Sequence, residues 1–253
     1  MILTIDVGNT HTIIGAYKND KLIFTSRIST DRNKTQDEYA VAIKSVLSLY
    51  NAEGNIEGAI ISSVVPQVSG MLENAIKTLF NCKVFIVGPG VKTGLNIKID
   101  NPAQLGADLV CVSVAALLKY PLPSIVFDLG TATTISAINE KGEMVGGSIL
   151  TGVGTALNAL AQGTAQLPQI SLSGDVSVIG SNTIDCMRSG AIIGNAALMD
   201  GMILRYKEIL GKNTTVIATG GLASSIVPHC REKITVDSNL LFDGLYAIYK
   251  KNI

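Results

Sequence analysis

The chain has little of what marks a membrane protein or a partner of nucleic acids. Its 253 residues include 20 Lys and Arg against 20 Asp and Glu, so the formal net charge is zero. Without an excess of positive charge, we expect neither a nucleic acid nor a membrane surface as a partner. The longest apolar run, Leu109 to Leu118, contains Ser113 and is well short of the roughly 20 residues of a membrane-spanning helix.

Cysteine and histidine are also scarce. No C-x-x-C pair occurs, which disfavours a zinc site and indicates reduced thiols and a cytoplasmic location. The four cysteines are dispersed at Cys82, Cys111, Cys186 and Cys230. The first apolar run contains Asp6 and no basic residue precedes it, so we expect a strand there and no signal peptide. The two histidines, His11 and His229, lie in a predicted turn and a late loop, which disfavours a Ser-His-Asp hydrolase.

Two nucleotide-binding fingerprints are missing. The chain has no G-x-x-x-x-G-K-[ST] segment, which excludes a P-loop kinase, and no G-x-G-x-x-G segment of the dinucleotide-binding type. A nucleotide site in this protein must therefore be built from other turns.

What the chain does contain is one unit repeated at an offset of 122 residues. Residues 3–10 (LTIDVGNT) fall without a gap on residues 125–132 (IVFDLGTA), and Thr12-Ile13 falls on Thr134-Ile135. Each copy predicts an apolar strand ending in Asp-x-Gly, a polar turn, a second strand and a charged hairpin before a third. Since solenoid units span roughly 20 to 50 residues, this repeat indicates two duplicated domains, 1–119 and 120–253, facing each other across a cleft.

Between the repeated units, the pattern alternates strands and helices. Thr35 and Glu38 have the spacing of a capping box at the start of a helix, and residues 58–63 form an apolar strand. Pro66 begins a further helix, and residues 83–87 form the next strand. This order predicts an α/β fold with mostly parallel pairing and ligands at the carboxyl ends of the strands.

The two Asp-x-Gly turns are the first candidates for chemistry. Glycine lets the backbone approach a ligand closely, and turn N–H groups with nearby side chains can surround phosphate oxygens. A carboxylate beside phosphate needs a cation between them, so Asp6 and Asp128 would act through Mg²⁺ or a monovalent ion. The alternative is that Asp and Gly simply close two hairpins. The candidate phosphate-binding residues are Gly8, Asn9, Thr10, Gly130, Thr131 and Thr133.

Two further segments are candidates. The Thr219-Gly220-Gly221 turn follows a late strand and would let a nucleotide lie against the backbone, although a helix start has the same sequence. Asp108 follows Gly106 and Ala107 at the start of a predicted buried helix. A carboxylate there is stabilised by free backbone N–H groups and suits a base that accepts a proton from an alcohol; a helix cap is the alternative.

Taken in order along the chain, these motifs resemble those of type III pantothenate kinases, a family of the actin-like and sugar-kinase superfamily of duplicated, ribonuclease H-like ATPase domains. The resemblance covers essentially the whole chain. It is carried by residues 6–10 (DVGNT), 101–102 (NP), 106–108 (GAD), 128–134 (DLGTATT), 146–149 (GGSI), 165–168 (AQLP), 182–183 (NT) and 219–221 (TGG).

The resemblance implies ATP-dependent phosphorylation of pantothenate, the first step of coenzyme A biosynthesis. It assigns Asp6 to phosphate and Mg²⁺, Asp108 to the general base with Gly106 and Ala107 beside the substrate, and Asp128 to a monovalent cation, K⁺ or NH₄⁺. It further implies a homodimer in which Thr183 reaches the partner's pantothenate site.

Three positions depart from the family's pattern. Leu109 stands where many relatives have Arg, Ile99 replaces a frequent Tyr, and Thr151-Gly152 stands where Pro-Gly is common. The missing arginine removes a cation that would help to hold the substrate's carboxylate. Two alternatives therefore stay open: a kinase for a different small alcohol, and a nucleotide-binding regulatory relative without this activity.

Overall fold

The computed structural model describes residues 1–253, which divide into two compact units. The first unit comprises Met1–Gly94, Asn101–Ala115 and Leu240–Ile253, and the second comprises Leu95–Asp100 and Ala116–Asn239. Up to residue 119 the elements are β1 (Ile2–Val7), β2 (His11–Lys18), β3 (Lys21–Ser29), α1 (Gln36–Leu49), β4 (Gly58–Ser63), α2 (Pro66–Phe80), β5 (Lys83–Ile86), β6 (Asn96–Ile97) and α3 (Ala107–Lys119). They continue with β7 (Ser124–Leu129), β8 (Ala132–Ile138), β9 (Glu143–Thr151), α4 (Val153–Gly163), α5 (Thr183–Leu210), β10 (Thr215–Thr219), α6 (Ala223–Ile226), β11 (Thr235–Val236) and α7 (Leu240–Lys250).

The two sheets have the same strand order, which confirms the duplication. The first sheet runs β3-β2-β1-β4-β5, and the second runs β9-β8-β7-β10-β11 with β6 added outside β9. The expectation of mostly parallel pairing is wrong for the first three strands of each copy, which pair antiparallel. Short turns connect these strands directly, whereas the crossovers to β4, β5, β10 and β11 give parallel pairs, as does the added strand β6 with β9.

The second Asp-x-Gly turn is one residue shorter than the first. Val7 pairs with Thr12, whereas Leu129 pairs with Thr133. Thr12 therefore corresponds to Thr133 in the structure, and the gap-free match of Thr12 with Thr134 is wrong.

The next hairpin restores the offset because it is one residue longer in the second copy. Tyr17 pairs with Leu22, whereas Ile138 pairs with Met144. A register shift lies at the same place in both copies, directly before these two residues. The two length changes compensate each other, so β3 and β9 again match at an offset of 122.

Alternate residues of the central strands form the two cores, as the period of a strand requires. Leu3, Ile5 and Val7 of β1 are buried in one cluster with side chains of α1 and α2. Their repeats in β7 are Ile125, Phe127 and Leu129, which are buried with side chains of α5 and β10. Because side chains alternate along a strand, Asp6 and Asp128 each lie on the face of their sheet that is turned away from this core.

The opposite face of the first sheet carries α7. A Cβ added to Gly15 would lie 2.8 Å from Thr4 Oγ1 of β1 and 3.1 Å from Phe242 Cδ1 of α7. The capping box at α1 is confirmed, since Thr35 N donates to Glu38 Oε2 at 2.7 Å and Glu38 N donates to Thr35 Oγ1 at 3.3 Å.

The two units differ from the expected ranges 1–119 and 120–253 in three segments: 95–100 and 116–119 lie in the second unit, and 240–253 lies in the first. The C-terminal segment belongs with the first unit because α7 packs against β1 and β4. Residues 95–100 belong with the second unit because β6 pairs with β9.

None of the helices combines the length and the apolar character that crossing a bilayer requires.

Candidate active site

The first Asp-x-Gly turn is held closed by its own backbone. Gly8 N donates to His11 O at 3.0 Å, and a Cβ at residue 8 would lie 3.2 Å from that oxygen. The exposed Asn9 side chain accepts a hydrogen bond from Arg32 Nη2 at 3.1 Å, and Thr10 O accepts one from Thr30 N at 3.0 Å. The turn thus presents polar groups in a fixed backbone conformation, as a phosphate site needs.

Asp6 is half-buried at the end of β1, directly opposite Ser62 of the parallel strand β4. Ser62 is fully buried, and its Oγ donates to Asp6 Oδ1 at 3.0 Å. A hydrogen bond to an ionised carboxylate is stronger than one between neutral groups, so Ser62 fixes the orientation of Asp6.

Asp108 lies in the first turn of α3, as predicted. Its Oδ1 accepts a hydrogen bond from Leu109 N at 2.8 Å. Burial raises the pKa of the Asp108 carboxyl, and backbone N–H groups of Leu109 and Asp108 offset part of that rise. A Cβ at Gly106 would lie 2.4 Å from Asp108 Oδ1, so the carboxylate occupies this position only because residue 106 has no side chain.

Cys111 lies one helical turn after Asp108 and is fully buried. Burial raises the pKa of its thiol well above the ordinary value, and the negative charges of Asp6 and Asp108 act in the same direction. A hydrogen bond with the Ser62 side chain acts the other way. The first unit therefore brings the two predicted carboxylates into one electrostatic environment.

Sequence reasoning missed Ser62. Ser62 ends the buried strand next to β1, and parallel pairing places it beside Asp6. Its position at the carboxyl end of β4 is the signal that would have identified it.

The second Asp-x-Gly turn lies against the late glycine turn. Gly130 N donates to Ala132 O at 3.1 Å. Gly220 has φ +91°, and a Cβ there would lie 2.5 Å from Asp128 Oδ1 and 2.6 Å from Leu129 N. Only glycine fits this approach. The exposed Gly221 follows it.

Thr133 differs from its counterpart in the first unit. Thr12 Oγ1 lies 2.8 Å from Thr30 Oγ1, whereas the buried Thr133 Oγ1 has no hydrogen-bond partner. The residue that corresponds to Thr30 is Gly152, where a Cβ would lie 2.2 Å from Thr131 O. The second unit therefore has a buried hydroxyl that makes no hydrogen bond within the chain.

Thr183 is the first residue of α5, and its side chain is exposed. The preceding Asn182 caps the helix, since its Oδ1 accepts a hydrogen bond from Asp185 N at 3.0 Å. A mostly apolar cavity of about 400 Å³ lies between α4 and α5 in the same unit. Its lining includes Val153, Leu157, Leu160, Met187 and Ala191.

Comparison with known proteins identifies the family. A family model described as type III pantothenate kinase matches residues 2–205. The type III pantothenate kinase of an Exiguobacterium species is 47% identical over 253 residues, covering 100% of this chain and 99% of the relative. The type III pantothenate kinase of Halalkalibacterium halodurans is 44% identical over 254 residues, which cover 100% of this chain and 100% of the relative.

Solved structures show the fold. MreB 5 of Spiroplasma citri bound to AMPPNP matches with a TM-score of 0.52 at 11% identity, covering 99% of this chain and 96% of that one. With the other structural neighbours, this likeness confirms the predicted actin-like, sugar-kinase fold class.

Proposed function

Because the chain belongs to the type III pantothenate kinase family, we propose that it phosphorylates pantothenate with Asp108 as the general base. ATP is the phosphoryl donor, and the product is 4'-phosphopantothenate, the first intermediate of coenzyme A biosynthesis. The observation that carries the residue assignment is Asp108 itself: its carboxylate is held by the backbone of α3, and burial raises its pKa.

The raised pKa gives Asp108 more affinity for a proton than an exposed aspartate has. In the proposed step, the substrate hydroxyl passes its proton to Asp108 while its oxygen bonds to the γ-phosphorus, and the bond from that phosphorus to the bridging oxygen breaks to leave ADP. Catalysis of this kind depends mainly on positioning and on neutralising phosphate charge. Gly106 and Ala107 place Asp108 beside the substrate.

Asp6 is the proposed magnesium ligand. No cluster of three or more His, Cys, Asp or Glu side chains suited to a metal is present. A single carboxylate with the remaining coordination sites filled by water and substrate phosphates is the usual Mg²⁺ arrangement, and Asp6 fits it. The bound ion would neutralise charge on the phosphates. Gly8, Asn9 and Thr10 would hold phosphate oxygens through the first turn.

Asp128 is the proposed ligand of a monovalent cation, K⁺ or NH₄⁺. The Asp128 carboxylate is an oxygen ligand of the kind that suits such an ion. Thr133 lies across from Leu129, on the other face of the sheet, and its unpaired hydroxyl is a separate candidate for a phosphate contact. Gly130, Thr131, Gly220 and Gly221 are the proposed contacts of the nucleotide on this side.

A homodimer is proposed through α4 and α5, with Thr183 contributing to the partner's pantothenate site. The apolar cavity lies between these helices, and Leu160 of its lining exposes 42% of its surface. Apolar surface that is open to solvent in this way is typical of a protein interface. The location of the enzyme is proposed to be the cytoplasm.

Leu109 favours a second candidate, a kinase for a different small alcohol. Leu109 offers no charge to a carboxylate at the position where relatives carry Arg. A substrate without a carboxylate would lose nothing from that replacement.

The test is turnover of Asp108→Asn against Asp37→Asn. Asp37 is the second residue of α1, as Asp108 is of α3, and it is exposed, so the control removes a charge at the same helix position. ADP release would be followed with ATP, Mg²⁺ and K⁺, with and without pantothenate. We expect Asp108→Asn to lose about 10²–10⁴-fold in turnover and Asp37→Asn to stay near the parent. Near-normal turnover by a folded Asp108→Asn protein would remove the assignment.

A further inference from the structure

We propose that Ser62 is a positioning residue that holds Asp6 in the orientation its metal ion requires. Ser62 does not belong to the motifs that carry the family resemblance. The inference rests on the proposed role of Asp6 in binding magnesium.

The first support is the geometry of the Ser62–Asp6 pair. Parallel pairing places the two residues directly opposite each other, and Ser62 is fully buried. With Ser62 Oγ donating to Oδ1 at 3.0 Å, one carboxylate oxygen is engaged by the protein. Carboxylates that ligate metals are typically oriented by such outer hydrogen bonds, and losing one typically weakens metal binding by about 10–100-fold.

The second support is the burial of Ser62. Its side chain is fully buried, so the bond to Asp6 Oδ1 satisfies a hydroxyl that would otherwise lie in the interior without a partner.

The duplication gives a third and separate support. Thr219 of β10 lies directly opposite Asp128, as Ser62 lies opposite Asp6, and it too is buried. The two strands otherwise differ in sequence, GAIISS against TVIAT. A hydroxyl residue therefore recurs beside the aspartate of each turn.

The experiment is Mn²⁺ binding to the protein with ADP, measured by electron paramagnetic resonance, for Ser62→Ala and for Ser69→Ala. Ser69 is the matched control because its buried hydroxyl donates to Val65 O at 3.1 Å within α2, in the same unit. We expect Ser62→Ala to weaken Mn²⁺ binding about tenfold or more and to raise the KM for Mg²⁺ to a similar extent. Saturating Mg²⁺ should restore most of its kcat, and Ser69→Ala should leave both constants unchanged.

Equal Mn²⁺ affinity in Ser62→Ala and the parent would overturn the inference. Should the alanine variant not fold, Ser62→Thr and Ser62→Val decide, because they have the same shape and only threonine keeps the hydroxyl. The inference is supported if Ser62→Val binds Mn²⁺ more weakly than Ser62→Thr does. Equal Mn²⁺ binding by the two variants overturns it.

Asp6→Asn distinguishes a failure of the positioning role of Ser62 from a failure of the proposed magnesium site. If it loses Mn²⁺ while Ser62→Ala binds normally, only the positioning role fails. If Asp6→Asn binds Mn²⁺ as the parent does, the proposed magnesium site fails, and the role of Ser62 fails with it.

Discussion

Replacing Gly220 by alanine should lower the stability of the second unit more than replacing a glycine that has positive φ but no close contact. Gly220 combines two constraints, a φ of +91° and the close approach of its α-carbon to the second aspartate turn. The added Cβ would lie 2.5 Å from Asp128 Oδ1, 2.6 Å from Leu129 N and 2.7 Å from Leu129 C. Two of these three atoms belong to the backbone, so a side-chain rotation cannot relieve the overlap.

The expected cost follows from these two constraints. A non-glycine residue held at positive φ loses about 1–3 kcal/mol, and overpacking a close contact costs about 1–3 kcal/mol more. Their sum is about 4 kcal/mol. For a chain of this size, that corresponds to a fall of about 8–16 °C in the thermal midpoint.

Gly211→Ala is the control that separates strain from overlap. Gly211 has φ +107° at the end of α5, but a Cβ there has no atom within 4 Å. Its substitution should therefore cost about 2 kcal/mol from strain alone. Calorimetric scans of both variants, each compared with the parent, give the difference. Equal midpoints for Gly220→Ala and Gly211→Ala would refute the argument that the late glycine turn packs against Asp128.

Two further predictions concern the substrate side. The pKa of Asp108 is raised above its ordinary value of 3.8, mainly by burial, so kcat/KM should fall with decreasing pH at a value above 3.8 as the base becomes protonated; a pH–rate profile without that acidic limb would contradict the role of Asp108. Leu109→Arg should lower the KM for pantothenate about 2–10-fold, because a partly exposed ion pair contributes about 0.5–1.5 kcal/mol; an unchanged KM in steady-state kinetics would show that residue 109 does not face the carboxylate.

The duplicated fold follows from the sequence because its strongest signal is local. An apolar strand that ends in Asp-x-Gly predicts β1 and β7, and the charged hairpins predict the next two strands of each copy. The register across the turns is less visible. Thr133 and Thr134 both resemble Thr12, so a residue lost in the turn and regained in the next hairpin leaves no gap in the aligned sequence.

Contacts between distant parts of the chain account for what the sequence does not reveal. Ser62 comes to lie beside Asp6 only through the parallel register of β4 with β1. The assignment of α7 to the first unit likewise depends on its packing against strands from the beginning of the chain. By contrast, the position of Asp108 at the start of α3 is predicted from the sequence because helix starts have local signals.

The most direct test of the proposed function is the mass of the product formed from pantothenate, ATP, Mg²⁺ and K⁺ by the purified protein. We expect 4'-phosphopantothenate and an equal amount of ADP, with neither formed by Asp108→Asn beyond a small residual rate. A folded protein that binds ATP yet leaves pantothenate unchanged would contradict it.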